Sequence, residues 1–306
     1  MKYIYRFALP FLFLLFIACG DVPVNIDQDT YDPKIVIDGY IFPGKTPSGI
    51  RISRNYPLNE KIDISDFLLA DADVTLKDRQ ENRVYELGFN PMRMGFGYEG
   101  NELLIEYGKS YELQVQAEID GKDLYTSCIT TVPEQGFSID RQASDLDPRS
   151  YDTAVKTNDK FEIAFYTSPT TGSYLVSIVA LDASVDTFIE DNVLGLQRED
   201  LDDSTDPDEA KYFDYSKNQI QWYETKSGAG SRLSRLDIEW FSTWFYGRYR
   251  VIVYAADKNF TDFFLTADAI QEIDGNLLEP EFHIQGDGIG VFGSAIADTT
   301  YFEILR

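Results

Sequence analysis

Tyr111-Glu112-Leu113-Gln114-Val115-Gln116-Ala117-Glu118-Ile119-Asp120-Gly121-Lys122-Asp123-Leu124-Tyr125-Thr126-Ser127-Cys128-Ile129-Thr130-Thr131 is the stretch that decides the fold. Tyr111, Leu113, Val115, Ala117 and Ile119 alternate with polar residues, the period of a strand with one buried face. Asp120-Gly121 supplies the two positive-φ positions of a tight hairpin turn. Leu124 to Thr131 is therefore expected to return antiparallel. Upstream, Ile35-Val36-Ile37 leading to Tyr40-Ile41, Gly49 to Ser53, and Ala72 to Leu76 read as further short strands, each ended by Pro, Gly, Asp or Asn. Short strands at this density over about 100 residues predict an immunoglobulin-like or prealbumin-like β-sandwich over 33–133.

Thr131-Val132-Pro133-Glu134-Gln135-Gly136 breaks the strand pattern, and a second, β-rich domain is expected over 137–306. Phe161 to Phe165, Tyr174 to Val179, Arg248 to Tyr254 and Tyr301 to Leu305 read as its strands. Phe260, Phe263, Phe264, Ala267 and Ile270 recur with the 3.6-residue period of an amphipathic helix, expected near 257–273. An acidic loop occupies 185–217. The expected fold is mostly β: two β-sandwich domains, the second carrying a helical insertion.

The amino end sets an expectation of location. The apolar run from Phe7 to Ile17 follows Lys2 and Arg6 and contains Pro10. It is about half the ~20 residues a helix needs to cross a bilayer, so it reads as a signal-peptide core. Leu15-Phe16-Ile17-Ala18 before Cys19 matches a lipobox: bulky apolar residues, a small one, then the cysteine that takes the lipid. On this reading 1–18 is a signal peptide, Cys19 the lipidated residue, and 19–32 an acidic tether.

A formal charge of −25 argues against nucleic acid and anionic head groups as partners. With Cys19 consumed, Cys128 has no disulfide partner and reads as a small buried hydrophobe in a strand. The single histidine, His283, lacks the companions that serine–histidine, cysteine–histidine or multi-histidine zinc chemistry demands, and reads as a strand side chain. Among 52 acidic residues some carboxylate pair is inevitable, so a pair carries no signal for glycoside hydrolysis. Neither a catalytic residue nor a cofactor is expected.

Three constellations remain. Gly288-x-Gly290-x-x-Gly293 has the dinucleotide-fingerprint spacing, but the chain ends too soon after it for the crossover helix and ribose ligand, and it reads as a glycine-rich turn or bulge before the last strand. Asp200, Asp202 and Asp206 are candidate calcium ligands, although Thr205 and Lys211 stand where an EF-hand loop requires Gly and Glu. Trp222, Trp240, Trp244 and Tyr246 belong to the densest aromatic stretch and are the candidate partner or ligand surface, since such rings dominate interface energetics.

In order along the chain, the lipoprotein cysteine is followed by Pro33-Lys34-Ile35-Val36-Ile37-Asp38-Gly39, Ala72-Asp73-Val74-Thr75-Leu76 and Gly108-Lys109-Ser110-Tyr111-Glu112-Leu113. Thr131-Val132-Pro133 and Gly288-Ile289-Gly290-Val291-Phe292-Gly293 complete the series. This pattern resembles Bacteroidota outer-membrane lipoproteins of a domain-of-unknown-function family, commonly encoded beside TonB-dependent transporters. The resemblance implies no catalytic residues. It implies a lipid-anchored, non-catalytic protein of the outer membrane, surface-facing in preference to periplasmic, serving as an accessory or ligand-capturing subunit of such a transporter. A structural or adhesive surface lipoprotein is the alternative, and an extracellular hydrolase the third.

Overall fold

The computed structural model describes residues 31–57, 67–193, 195, 217–225, 232–267 and 280–306. The lipobox, Cys19, the candidate calcium ligands Asp200, Asp202 and Asp206, and the end of the expected helix beyond 267 lie outside the described residues. The strands are β1 (Ile35–Ile41), β2 (Arg51–Arg54), β3 (Asp73–Asp78), β4 (Arg83–Asn90), β5 (Gly95–Gly97), β6 (Ser110–Ile119), β7 (Lys122–Thr131), β8 (Ser138–Ile139) and β9 (Arg149–Ser150). After α1 (Tyr151–Thr157) come β10 (Phe161–Tyr166), β11 (Ser173–Ala180), β12 (Asn218–Glu224), β13 (Leu233–Ile238) and β14 (Gly247–Ala256). Then α2 (Lys258–Ala267), β15 (Ile284–Gly286) and β16 (Gly288–Leu305) complete the order. The protein is mostly β, with its sheets stacked as sandwiches.

The deciding hairpin forms as its pattern dictates. Asp120 and Gly121 turn with φ of 54° and 74°, and β6 pairs with β7 from Ser110↔Thr131 to Ile119↔Lys122. Tyr111, Leu113 and Val115 are fully buried. The hairpin sits in a six-stranded sheet of order β15-β7-β6-β3-β4-β5.

A seven-stranded sheet runs β12-β11-β14-β16-β1-β2, with β9 added beside β16, and a three-stranded sheet runs β13-β10-β8. The seven-stranded sheet takes β1 and β2 from 33–133 and its other strands from 137–306. One core cluster joins Ile35, Ile37 and Ile52 of this sheet to Leu76, Leu113 and Val115 of the six-stranded sheet. Another joins its Tyr174, Val176, Val251 and Phe302 to Phe161, Phe165 and Leu236 of the three-stranded sheet. Two sandwich layers therefore share one sheet between Pro33 and Arg306.

β16 makes that sharing possible. Its first half pairs in parallel with β1, from Ile35↔Gly288 to Ile41↔Ser294. Its second half pairs antiparallel with β14, from Ala256↔Ala295 to Gly247↔Ile304. Phe292 is fully buried in the first cluster and Phe302 stacks on Tyr249 in the second, with ring centroids 4.9 Å apart. The glycine motif is thus part of the last strand, which starts at Gly288 and not near Tyr301. Gly290 has φ +104°, and a Cβ there would run into the Ile37 carbonyl. Only glycine lets the two backbones approach.

Candidate functional site

Trp240 and Trp244 are core residues, 6% and 5% exposed, which corrects the expectation that they form a surface. Trp240 packs edge-on against Tyr151 at 5.4 Å and against Phe161 at 5.8 Å, while the Trp244 indole N–H donates to the Phe241 carbonyl. A dense aromatic run suits a two-sheet core as well as an interface, because both reward large rings. Tyr246 is half-buried at the edge of the same cluster, its ring 5.5 Å from the Arg306 guanidinium. Burial, then the nearby Asp152 carboxylate, pushes its hydroxyl pKa up.

Trp222 lies elsewhere. Alternation along β12 sends Tyr223 into the sandwich core and Trp222 to the opposite face, against Leu175, Ala256, Phe260 and Ala295. Its indole nitrogen is buried and makes no hydrogen bond in the protein. Beside it opens a cleft of about 600 Å³, lined by Ile220, Gln221, Trp222, Asp237, Glu239 and Phe241 among others. β12 and β13 are the end strands of their sheets, and the cleft lies where they part. Gln221 Nε2 donates to Ser242 Oγ across 2.6 Å. Ile220 is 55% exposed and Phe241 48%. Phe241, part of the same dense aromatic stretch as Trp240 and Trp244, is its exposed ring. Apolar side chains beside end-strand backbone suit the capture of an extended polar chain.

A second cleft, about 470 Å³ and lined by polar and apolar groups alike, lies between the foot of the β6–β7 hairpin and α2, with Ile129, Thr131, Val132, Lys258, Asn259 and Asp262 among its lining residues. Its floor is a buried network. Asp257 caps α2 by accepting from the Phe260 N–H at 3.0 Å and also accepts from the Ser294 N–H at 3.1 Å. Thr130 Oγ1 donates to Asp257 at 2.5 Å and lies 2.8 Å from Ser294 Oγ. Asn259 donates to the Ile129 and Phe292 carbonyls. Burial pushes the Asp257 carboxyl pKa up against these hydrogen bonds. Cys128, buried alongside, is a free thiol whose pKa is pushed up to about 12 by burial and then by Asp257, the behaviour of a small hydrophobe.

His283 lies just before β15, outside the strand in which it was expected. Its Nε2 is 2.5 Å from Asp262 Oδ2 and 3.6 Å from Glu281 Oε1, and Lys258 also reaches Asp262. Burial opposes ionisation of Asp262, but hydrogen bonds from Lys258 and His283 outweigh it and hold the carboxyl below its ordinary range. The Glu281-x-His283 spacing was visible in the sequence. The Asp262 partner was not, because the fold alone brings it there.

The chain matches, over residues 21–298, the family described as Domain of unknown function (DUF4249). No curated protein matches it. Among solved structures it is similar to a bacterial ice-binding adhesin, at 10% identity and a TM-score of 0.21, with 91% of this chain and 66% of that chain covered. It is also similar to Escherichia coli alpha-2-macroglobulin, at 9% identity and a TM-score of 0.22, with 90% of this chain and 17% of that chain covered. The chain thus spans just under two thirds of the first and a small part of the second, and at these scores neither supports an argument.

Proposed function

The chain belongs to the DUF4249 family, and from that premise we propose that it is a non-catalytic outer-membrane lipoprotein, anchored through Cys19, that captures ligand for a TonB-dependent transporter. The lipobox supports the anchor, and three acyl chains at about 0.8 kcal/mol per buried methylene suffice to hold it. Among the described residues no helix is long and apolar enough to cross a membrane. The observation that carries capture as the activity is the cleft between β12 and β13, with Ile220 and Phe241 exposed in its lining. An exposed ring in a cleft gives much contact area for little lost entropy.

Affinity purification of the full chain from detergent-solubilised native envelopes tests the reading. A TonB-dependent transporter should co-purify with the wild type, and Phe241→Ala should weaken the association by about thirtyfold, the effect of a 2 kcal/mol hot spot. Cys19→Ser should move the protein to the soluble fraction. Retention in the membrane with an uncleaved leader would overturn the anchor. Recovery of the folded wild type without any transporter would overturn the transport role and favour the adhesive alternative.

A further inference from the structure

Among the described residues, two groups of three acidic or histidine side chains converge closely enough to share a cation, and they differ in how a lysine fills them. In the first, Lys109 Nζ lies 3.0, 2.8 and 2.6 Å from Asp78, Glu81 and Glu106, so its three protons are all engaged. The Lys109 side chain is only 17% exposed, and the site is closed around it. In the second, the ligand atoms of Asp262, Glu281 and His283 lie within 4.8 Å of one another. Lys258 there contacts Asp262 but stays 3.9 Å from Glu281, and its side chain is 72% exposed. One rotation of an exposed stem frees the second site without unpacking anything.

We propose that Asp262, Glu281 and His283 bind one divalent transition-metal ion, with Lys258 as the displaceable cation that occupies the site in the ion's absence. Two carboxylate oxygens and one imidazole nitrogen are a donor set that Zn²⁺ accepts, and three protein ligands leave a coordination position for water or an incoming oxygen. Asp262 and His283 now share a short hydrogen bond, and an ion between them needs their atoms to part by about 0.5–1 Å to reach bonds near 2.1 Å. Asp262 is fixed on α2, whereas Glu281 and His283 sit on the extended lead into β15, where that adjustment is small. Asp262 also lines the cleft beside α2, so an ion there faces a space able to admit a hydroxyl- or carboxylate-bearing ligand. This inference does not depend on the Trp222 cleft or on any transporter.

The test uses the full chain without a histidine tag, so that His283 gives the sole imidazole ring signal in a ¹⁵N-resolved NMR spectrum. Stoichiometric Zn²⁺ should shift that signal, with one equivalent bound by equilibrium dialysis. Asp262→Asn and His283→Ala should each lose more than about tenfold in Zn²⁺ affinity. Lys258→Met should gain affinity, because it removes the competing ammonium from a solvent-exposed position. An unmoved His283 signal would overturn the site, as would equal affinity in wild type and in a His283→Ala variant whose melting curve shows it folded. A loss of affinity in Lys258→Met would do the same.

Discussion

The β6–β7 ladder closes over a two-residue turn, and its pairs widen from Ile119↔Lys122 at the turn to Ser110↔Thr131 at its far end. The β1–β16 ladder joins opposite ends of the described chain in parallel, through a glycine that has no side chain to obstruct Ile37. The first is specified by alternation and turn chemistry. The second depends on everything between having folded, because loop closure must precede the contacts that reward it. The difference teaches that the hairpin is settled locally, whereas the layers and their shared cores rest on non-local ladders such as β10–β13, β11–β14 and β1–β16.

The sharpest way to break that contrast is Gly290→Ala. It places a side chain at φ +104° and against the Ile37 carbonyl, and we expect a loss of about 4 kcal/mol or more in urea unfolding. A loss under about 1 kcal/mol would mean that the close approach is not needed. Next, Trp240→Ala should cost about 3–5 kcal/mol by leaving a cavity among Tyr151 and Phe161. Phe241→Ala, one residue on and exposed, should stay within about 0.5 kcal/mol. Equal effects on the two would deny that one is core and the other surface.

Gly121→Ala probes the local ladder. Nothing lies within 4 Å of the added Cβ, so only the backbone penalty at φ +74° applies, about 1–2 kcal/mol. A cost as large as that of Gly290→Ala would erase the contrast.

The smallest effects concern acid, and here the two regions should respond with opposite sign. Asp78, which receives the Gln80 and Glu81 N–H groups and Lys109, keeps a carboxyl below its ordinary range: burial opposes this, and the hydrogen bonds outweigh it. Its folded pKa is lowered, so its contribution is present above the unfolded value of about 3.9 and is lost as pH falls toward the folded one. Asp257, at the join of β7, α2 and β16, is raised by burial. Its contribution is present below about pH 3.9 and is lost as pH rises through the folded value. Melting curves from pH 2 to 7 should therefore show Asp78→Asn flattening the acid-side fall, while Asp257→Asn flattens any loss on the higher-pH side. The same response from both variants would remove the distinction.

The hairpin, the strand segments around it and the helix near residue 258 were legible because each is written in short-range periodicity and turn residues. The glycine run was legible as a backbone feature but not as a strand, since its reason is the Ile37 carbonyl, far away in sequence. The aromatic stretch announced large rings without saying which way they face: Trp240 and Trp244 fill a core, while Trp222 and Phe241 border a cleft. His283 looked isolated because composition counts residue types and cannot count neighbours. Local pattern therefore dictated the strands, the turn and the helix, because those energies are settled within a few residues. Only the tertiary structure decided that the layers share a sheet, that β1 pairs with β16, and that Asp262, Glu281 and His283 converge. Those contacts join residues whose separation along the chain leaves no mark on the periodicity of either partner.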